Sequence, residues 1–351
     1  MNETMRKANR ADEADRADEA RGASGAGRGA LRAALFFIRP RAPRVTRAAL
    51  ALSLCCLAAA ALLLPPQTPA RAEGDTPEAL LLEVGDASAG AGSDADAAPA
   101  ELKIVSYNIR YRAGDELKEL VGLLKDDPEI GGAHVIGLQE VDRNKKRTGN
   151  VNTARQLAEA LGMRYAWAAP PDADKDGEEE TGVAILSPFP MTDVTRILLT
   201  HEGPSGRRRV AVGATLQIGR RSLRVYSVHA ETRMPLEKKV EHWRAVIEDL
   251  RLHPKVEGAV VVGDFNTIKG KDVRAARRLF AGEGFTTPIP DDRSTWRTFV
   301  VKLKLDWLWL RGLEPHACGI DKDVGLSDHW PLWVKIKVSG PKSQAPSSTN
   351  E

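Results

Sequence analysis

A mixed α/β (α+β) domain is the fold class that this 351-residue sequence predicts. Apolar runs of strand length outnumber segments with helical periodicity. The two kinds of segment do not alternate strictly, which argues against a simple doubly wound sheet. Several strand-like runs stop on a polar residue, which places chemistry at a sheet rim, where ligand sites usually lie.

Lys103–Tyr107 is the first strand candidate, and Leu117, Leu120, Val121 and Leu124 then repeat at helical spacing. Val135–Leu138 is an apolar strand. Ala154, Leu157, Ala158 and Leu161 mark a second helix, capped by Asn152 or Thr153 and stopped by Gly162. Strands are expected at Tyr165–Ala168, Val183–Leu186, Val194–Leu199, Val210–Ile218 and Leu223–Val228, the last two forming a hairpin across 219–222. Val240, Trp243, Ile247 and Leu250 give a third helix, Ala259–Val262 a buried strand, and Val273–Phe280 a short helix. Leu305–Leu310 and Trp330–Val338 close the chain as strands, so 103–199 and 210–338 are each expected to carry roughly one sheet.

Five short segments end strand-like runs with polar groups: Ser106-Tyr107-Asn108, Gln139-Glu140-Val141, Ser227-Val228-His229, Gly263-Asp264-Phe265-Asn266 and Ser327-Asp328-His329. Together they hold metal ligands, a base and imidazoles, the inventory of a metal-dependent phosphoester hydrolase. Glu140 ends a buried strand, where a carboxylate must be paired, coordinated or solvated. It reads as the main ligand of Mg²⁺, which takes few carboxylates and keeps its waters. The competing reading is a salt bridge to Arg143 or Arg147. Asp264 and Asn266, two apart on a turn, can share one pocket. Asp264 is then the base for an attacking water and Asn266 a donor to a phosphoryl oxygen, against an Asx turn that only closes the loop. His329 suits an imidazolium on phosphate if a carboxylate holds it charged and oriented. Asp306 is the candidate, its alternative being a surface pair with Lys304.

The ordered set extends to Gly182-Val183-Ala184-Ile185-Leu186-Ser187, Leu305-Asp306-Trp307 and Asp328-His329-Trp330-Pro331-Leu332. From about Lys103 to Val338 the chain thus resembles the endonuclease/exonuclease/phosphatase superfamily, which includes deoxyribonuclease I, exonuclease III-like repair enzymes, neutral sphingomyelinases and inositol-polyphosphate 5-phosphatases. The resemblance implies a deoxyribonuclease I-like four-layer sandwich of two packed mixed β-sheets with helices outside. It also implies that Asn108 and Asp328 join Glu140 at a Mg²⁺ site (or Mn²⁺), and that His229 is a second imidazole helping the leaving oxygen. A satisfied rim histidine is the alternative for His229. The expected substrate is a phosphoester in nucleic acid or a phospholipid head group. A sphingomyelinase-type enzyme would show an exposed apolar loop near Trp296 or Trp307, and an inositol-phosphate phosphatase is a further branch. No protein partner is implied, and a monomer is expected.

The rest of the chain reads differently. Residues 1–45 are rich in Ala, Arg, Asp, Glu and Gly and read as disordered or preceding the true start. Within 46–72, Arg47, the uncharged run of seventeen residues Ala48–Leu64 and Ala70-Arg71-Ala72 form a secretory signal. An uncleaved membrane tether through 48–64 is the alternative. Residues 73–100 read as a low-complexity linker, 101–338 as the catalytic domain and 339–351 as a disordered tail. The catalytic domain is therefore expected outside the cytoplasm, periplasmic, secreted or tethered facing outward. Residues 101–340 carry 38 Lys+Arg against 34 Asp+Glu, which argues against a dedicated non-specific DNA binder. Two local basic clusters, 143–147 and 207–209, are candidates for phosphate contact. Asp172–Gly177 matches the first half of a calcium loop, but its twelfth position is Val183.

Overall fold

The computed structural model describes residues 81–86, 99–171, 180–204 and 206–338. The expected tails 1–45 and 339–351, the export segment 46–72 and the calcium-loop candidate 172–177 lie outside them. Among the described residues, no helix is long and apolar enough to cross a membrane.

In chain order the elements begin with β1 (Leu82–Asp86), β2 (Glu101–Asn108), α1 (Gly114–Asp126), β3 (Val135–Arg143) and α2 (Thr153–Leu161). They continue with β4 (Arg164–Ala168), β5 (Glu180–Ser187), β6 (Met191–Leu198), β7 (Val210–Ile218) and β8 (Arg221–His229). Then come α3 (Leu236–Arg251), β9 (Gly258–Asp264), α4 (Gly270–Gly282), β10 (Trp296–Arg297), β11 (Lys302–Leu303), β12 (Asp306–Arg311), β13 (Pro315–Ile320) and β14 (Leu332–Lys337). They build a seven-stranded sheet, β1-β4-β5-β3-β2-β14-β13, a five-stranded sheet, β12-β9-β8-β7-β6, and the small hairpin β10-β11.

Strand alternation explains the layers. Ile104, Val183 and Val334 of one sheet and Val212, Val225, Val262 and Leu308 of the other form one cluster between the sheets. Their neighbours one residue along point the other way. Val105, Ile136 and Trp167 meet Leu120, Leu124 and Leu157 of α1 and α2. Tyr226, Val261 and Trp309 meet Trp243, Ile247 and Phe280 of α3 and α4. Each sheet is thus covered on both faces, which is why its strands read as near-continuous apolar runs. Burying one such Leu, Ile or Val side chain is worth about 1.5–3 kcal/mol. The sheets touch closely at Gly137, where a Cβ would fall 2.3 Å from Val262 Cγ2.

Sequence and structure differ in three places. The expected linker 73–100 contains β1, which pairs antiparallel with β4 from Leu82↔Ala168 to Asp86↔Arg164. Its five residues lie in an Ala/Gly/Ser/Asp-rich stretch, and only the sheet edge makes them a strand. The sheets do not follow the two halves of the chain. β6 joins the five-stranded sheet through β7, while β14 crosses back to pair with β2. β13 and the β10-β11 hairpin have no counterpart among the sequence-based elements. By contrast, α2 is capped as its sequence indicates: Asn152 Oδ1 accepts from the Ala154 and Arg155 amides at 2.9 and 3.3 Å, and Gly162 (φ 66°) ends it in the left-handed region.

Candidate active site

Two parallel strand pairs bring the polar strand ends to a common cleft. In the seven-stranded sheet β2 and β3 run parallel, with Asn108 beside Gln139. In the five-stranded sheet β8 and β9 run parallel, with His229 beside Asp264. Strand β12 runs the other way and begins at Asp306, so Asp264 faces Asp306 on its second side. The loop ahead of β14 supplies Asp328 and His329. Beneath the cleft, Gln139 Nε2 donates to Ser227 Oγ at 3.0 Å, and Ser227 Oγ donates to the Leu138 carbonyl at 2.9 Å, tying the sheets together.

Backbone conformation aims the key carboxylates. Glu140 sits at a bulge, since the β3–β5 register jumps between Gln139 and Val141. Its φ of 55° is left-handed, a geometry that costs energy and re-aims the side chain. Glu140 Oε1 accepts from Asn108 Nδ2 at 3.0 Å. Gly263 precedes Asp264 with φ 136°, and a Cβ there would meet the Val228 carbonyl oxygen at 2.0 Å. The turn Asp264–Asn266 divides the work of one carboxylate. Asp264 Oδ1 accepts from the Asn266 amide at 2.9 Å. Oδ2 faces the cleft, 3.4 Å from Asn108 Nδ2, 3.7 Å from His229 Nε2 and 3.8 Å from His329 Nε2. The Asx turn and the cleft-facing oxygen are therefore both present.

His329 is held from behind. Its Nδ1 lies 2.8 and 3.0 Å from the two Asp306 oxygens. Thr295 Oγ1 donates to Asp306 Oδ2 at 2.7 Å while accepting from the Leu305 and Asp306 amides at 3.0 and 2.9 Å. Asp306 does not pair with Lys304, whose ammonium goes to the Pro290 carbonyl at 3.1 Å. Thr295 was not legible as a site residue: a lone Thr eleven positions before Asp306 carries no motif. Asp328 accepts from Trp296 Nε1 at 3.0 Å and lies 3.6 Å from Arg110.

Asn266 is buried on the same turn as Asp264, whose carboxylate accepts from its backbone amide. Its Nδ2 donates to the Ala230 carbonyl at 2.9 Å, leaving the second amide hydrogen for a ligand. The basic clusters are mostly engaged in structural pairs. Arg143 binds Glu180 and Glu83, and Arg147 binds Asp142. Arg208 binds Glu202 and Arg209 binds Glu231. Trp307, expected near an exposed loop, is fully buried and stacks on Trp309 at 4.6 Å between centroids.

The charges are set by burial and by these partners. Burial pushes the Asp264 carboxyl up to about 7; Asp306 and Glu140 push the same way, and His329 opposes them. Burial would lower His329, but Asp306, with help from Asp264 and Asp328, carries it up to about 10. His329 is thus an imidazolium at neutral pH. His229 lies well below its ordinary range because it is buried and faces Arg209 and His329. The two imidazoles therefore differ: one charged, one neutral.

The donor set fits a hard divalent cation. Four carboxylates, Glu140, Asp264, Asp306 and Asp328, gather around one imidazolium, an excess of negative charge that such a cation offsets. Ligand atoms of Asp264, Asp306 and His329 lie within 4.8 Å of one another, so that trio could also hold a metal. Its His329–Asp306 hydrogen bond and Asx turn already occupy three of the donor atoms. Among the described residues the half-buried Glu140 carboxylate accepts a hydrogen bond from Asn108 alone, which leaves it freer to take a cation.

Two packed mixed sheets with a carboxylate-imidazole cleft at their shared rim define a phosphoester hydrolase of the deoxyribonuclease I-like fold. Residues 105–329 match the Endonuclease/Exonuclease/phosphatase family, and the chain belongs to it. Members of that family are phosphoester hydrolases, generally dependent on a divalent metal. The comparison with curated proteins gives no match. Among solved structures, the chain is similar to a family protein from Leptotrichia buccalis C-1013-b, at 19% identity over 67% of this chain and 99% of that one, with a TM-score of 0.53. It is also similar to D. rerio TDP2 complexed with single strand DNA product, at 16% identity over 68% and 100% of the two chains (TM-score 0.52). ANGEL2, a 2′,3′-cyclic phosphatase, matches at 15% identity over 67% and 95% (TM-score 0.51). At these identities the likeness is one of fold.

Proposed function

We propose that the chain is a Mg²⁺-dependent phosphodiesterase, nuclease-like in its substrate. The observation that carries this reading is Asp264 Oδ2, aimed into the cleft between a neutral and a charged imidazole. Glu140, with Asn108 and Asp328, would hold Mg²⁺ or Mn²⁺, which when bound neutralises charge on the phosphoryl oxygens. Asp264, buried with a pKa near the working pH, orients a water and takes its proton as the water oxygen bonds to phosphorus. The His329 imidazolium presents Nε2–H to a phosphoryl oxygen, and Asp306 keeps it charged and in place. Neutral His229 offers a hydrogen bond to the departing ester oxygen as the P–O bond breaks. A fold-level neighbour solved with a single-strand DNA product is consistent with a nucleic-acid diester.

The purified chain is to be assayed with Mg²⁺ against plasmid DNA, RNA, bis-p-nitrophenyl phosphate, sphingomyelin and inositol phosphates. Mg²⁺-dependent cleavage of the simple diester and of nucleic acid is expected. Full activity in EDTA, or hydrolysis confined to monoesters, would sink this reading.

One feature favours a second reading, a sphingomyelinase-type lipid phosphodiesterase. At the tip of the β10-β11 hairpin Phe299 and Val300 are 104% and 85% exposed. The base of this hairpin reaches the site through Trp296 and Asp328. Preference for sphingomyelin over nucleic acid in the same panel would select it. We also propose export, on the strength of Arg47, Ala48–Leu64 and Ala70-Arg71-Ala72. N-terminal sequencing of the native protein decides between a start near Glu73 and an intact chain.

A further inference from the structure

The loops that follow β8 and β9, which start just past His229 and Asp264, wall a cavity of about 230 Å³ beside the cleft. Its connection to the site is direct: Lys239 Nζ donates to the Asn266 carbonyl at 2.6 Å, and the Ile268 amide donates to the same oxygen at 2.9 Å. Arg233, Lys269 and Lys271 line the cavity and are exposed. Their side chains form no ion pair among the described residues, unlike Arg143, Arg147, Arg208 and Arg209 of the two basic clusters. The acid in the lining, Asp272, is neutralised by buried Lys239 at 3.2 Å. Met234, Leu236 and Ile268 supply an apolar wall, and Ile268 is 39% exposed.

Uncommitted cations beside an apolar wall match a nucleotide, whose phosphate is anionic and whose base has an apolar face. A bare phosphate has no use for the wall; an anionic phospholipid is the competing occupant, and the vesicle arm of the test separates it. A base packed on that wall must be splayed out of its stack, which a single strand allows and a duplex does not. We propose that this pocket binds the nucleotide next to the scissile phosphate of a single nucleic-acid strand. Arg233, Lys269 and Lys271 contact its phosphate, and Ile268, Met234 and Leu236 pack on its base. This substrate assignment rests on the phosphodiesterase reading above and gives a nearly charge-balanced domain a local grip on a polyanion.

The test uses the full chain and a K269E/K271E variant, both changes being at exposed positions. Binding of a fluorescein-labelled ten-nucleotide oligothymidylate is followed by anisotropy in EDTA, and hydrolysis of the oligonucleotide and of bis-p-nitrophenyl phosphate is followed in Mg²⁺. The variant should bind the oligonucleotide at least ~10-fold more weakly, and the slope of log affinity against log salt should flatten by about 1.4, or ~0.7 for each lost contact. Its kcat/KM should fall for the oligonucleotide while the small diester is hydrolysed at the wild-type rate. Equal oligonucleotide affinity in both chains, with bis-p-nitrophenyl phosphate still hydrolysed, would overturn the pocket alone. So would loss of binding to phosphatidylserine vesicles in place of the oligonucleotide. A wild-type chain inert towards both substrates would overturn the phosphodiesterase reading and this one with it.

Discussion

The two sheets supply unlike halves of one cleft. The five-stranded sheet brings His229, Asp264 and Asp306 side by side in register, all buried, with His329 locked against Asp306 and Thr295 behind it. The seven-stranded sheet brings Asn108 and a single, half-exposed Glu140, thrown outward by a bulge. Like charges face each other at Asp264 and Asp306, an arrangement that destabilises a strand pair and is offset here by the imidazolium between them. Burial and fixed partners suit proton handling, where pKa and geometry decide. Partial exposure suits a ligand that must exchange water for a cation. On the proposed mechanism chemistry and metal capture fall to different sheets, with the Asn108 amide touching Glu140 and Asp264.

The largest effect should come from the buried half. Asp264→Asn and His329→Ala should each lower kcat by roughly 10³-fold. Because they act as one unit, the double variant should cost little more than the worse single. Losses that multiply in steady-state assays would break the unit apart.

A smaller loss is expected from the half-exposed half. Glu140→Ala should lower activity at least ~10²-fold with the fold intact by circular dichroism, and high Mg²⁺ should recover part of it. Activity close to wild type would remove Glu140 from the mechanism.

Thr295→Val sharpens the contrast further. It removes the hydroxyl that fixes Asp306 and keeps the shape, so a misplaced His329 should cost roughly 10-fold to 10²-fold in kcat. The pH profile should shift as well, because Asp306 holds the imidazolium less firmly. A drop in stability with an unchanged profile would make Thr295 a purely structural residue.

Much of this was legible in the sequence because a polar residue closing an apolar run has few structural uses. Asn108, Glu140, His229 and Asp264 each end or follow such a run, whereas Ser327-Asp328-His329, expected to end one, lies in the loop ahead of β14. What was not legible depends on contacts between distant segments. Thr295 gains its role only when β12 lies beside it. The arginines near Glu140 look like phosphate ligands until Glu180, Glu83 and Asp142 arrive to pair with them. Arg233, Lys269 and Lys271 are scattered over two loops and form no run. β1 is invisible by composition, yet Glu83 ties it down.

That tie gives the smallest effect and reaches only the outer edge of the seven-stranded sheet. Burial would raise the Glu83 carboxyl, but hydrogen bonds from Tyr165, Arg155 and Arg143 outweigh it and hold it at about 2, below its ordinary 4.5. A depressed carboxyl pKa stabilises the fold fully above the unfolded value and loses that contribution as pH falls through the folded one. The gap between wild type and Glu83→Gln in urea unfolding should therefore be widest above pH 4.5 and shrink towards pH 2. Hydrolysis at neutral pH should be unaffected, and a gap independent of pH would contradict the clamp.

The division of labour between the sheets is tested most directly by calorimetric titration of Mn²⁺ into the wild-type chain, Glu140→Ala and Asp264→Asn. Binding should be weakened at least ~10-fold by Glu140→Ala and largely kept by Asp264→Asn. Binding kept in Glu140→Ala but lost in Asp264→Asn would place the metal in the Asp264–Asp306–His329 cluster and contradict the assignment of metal capture to the seven-stranded sheet.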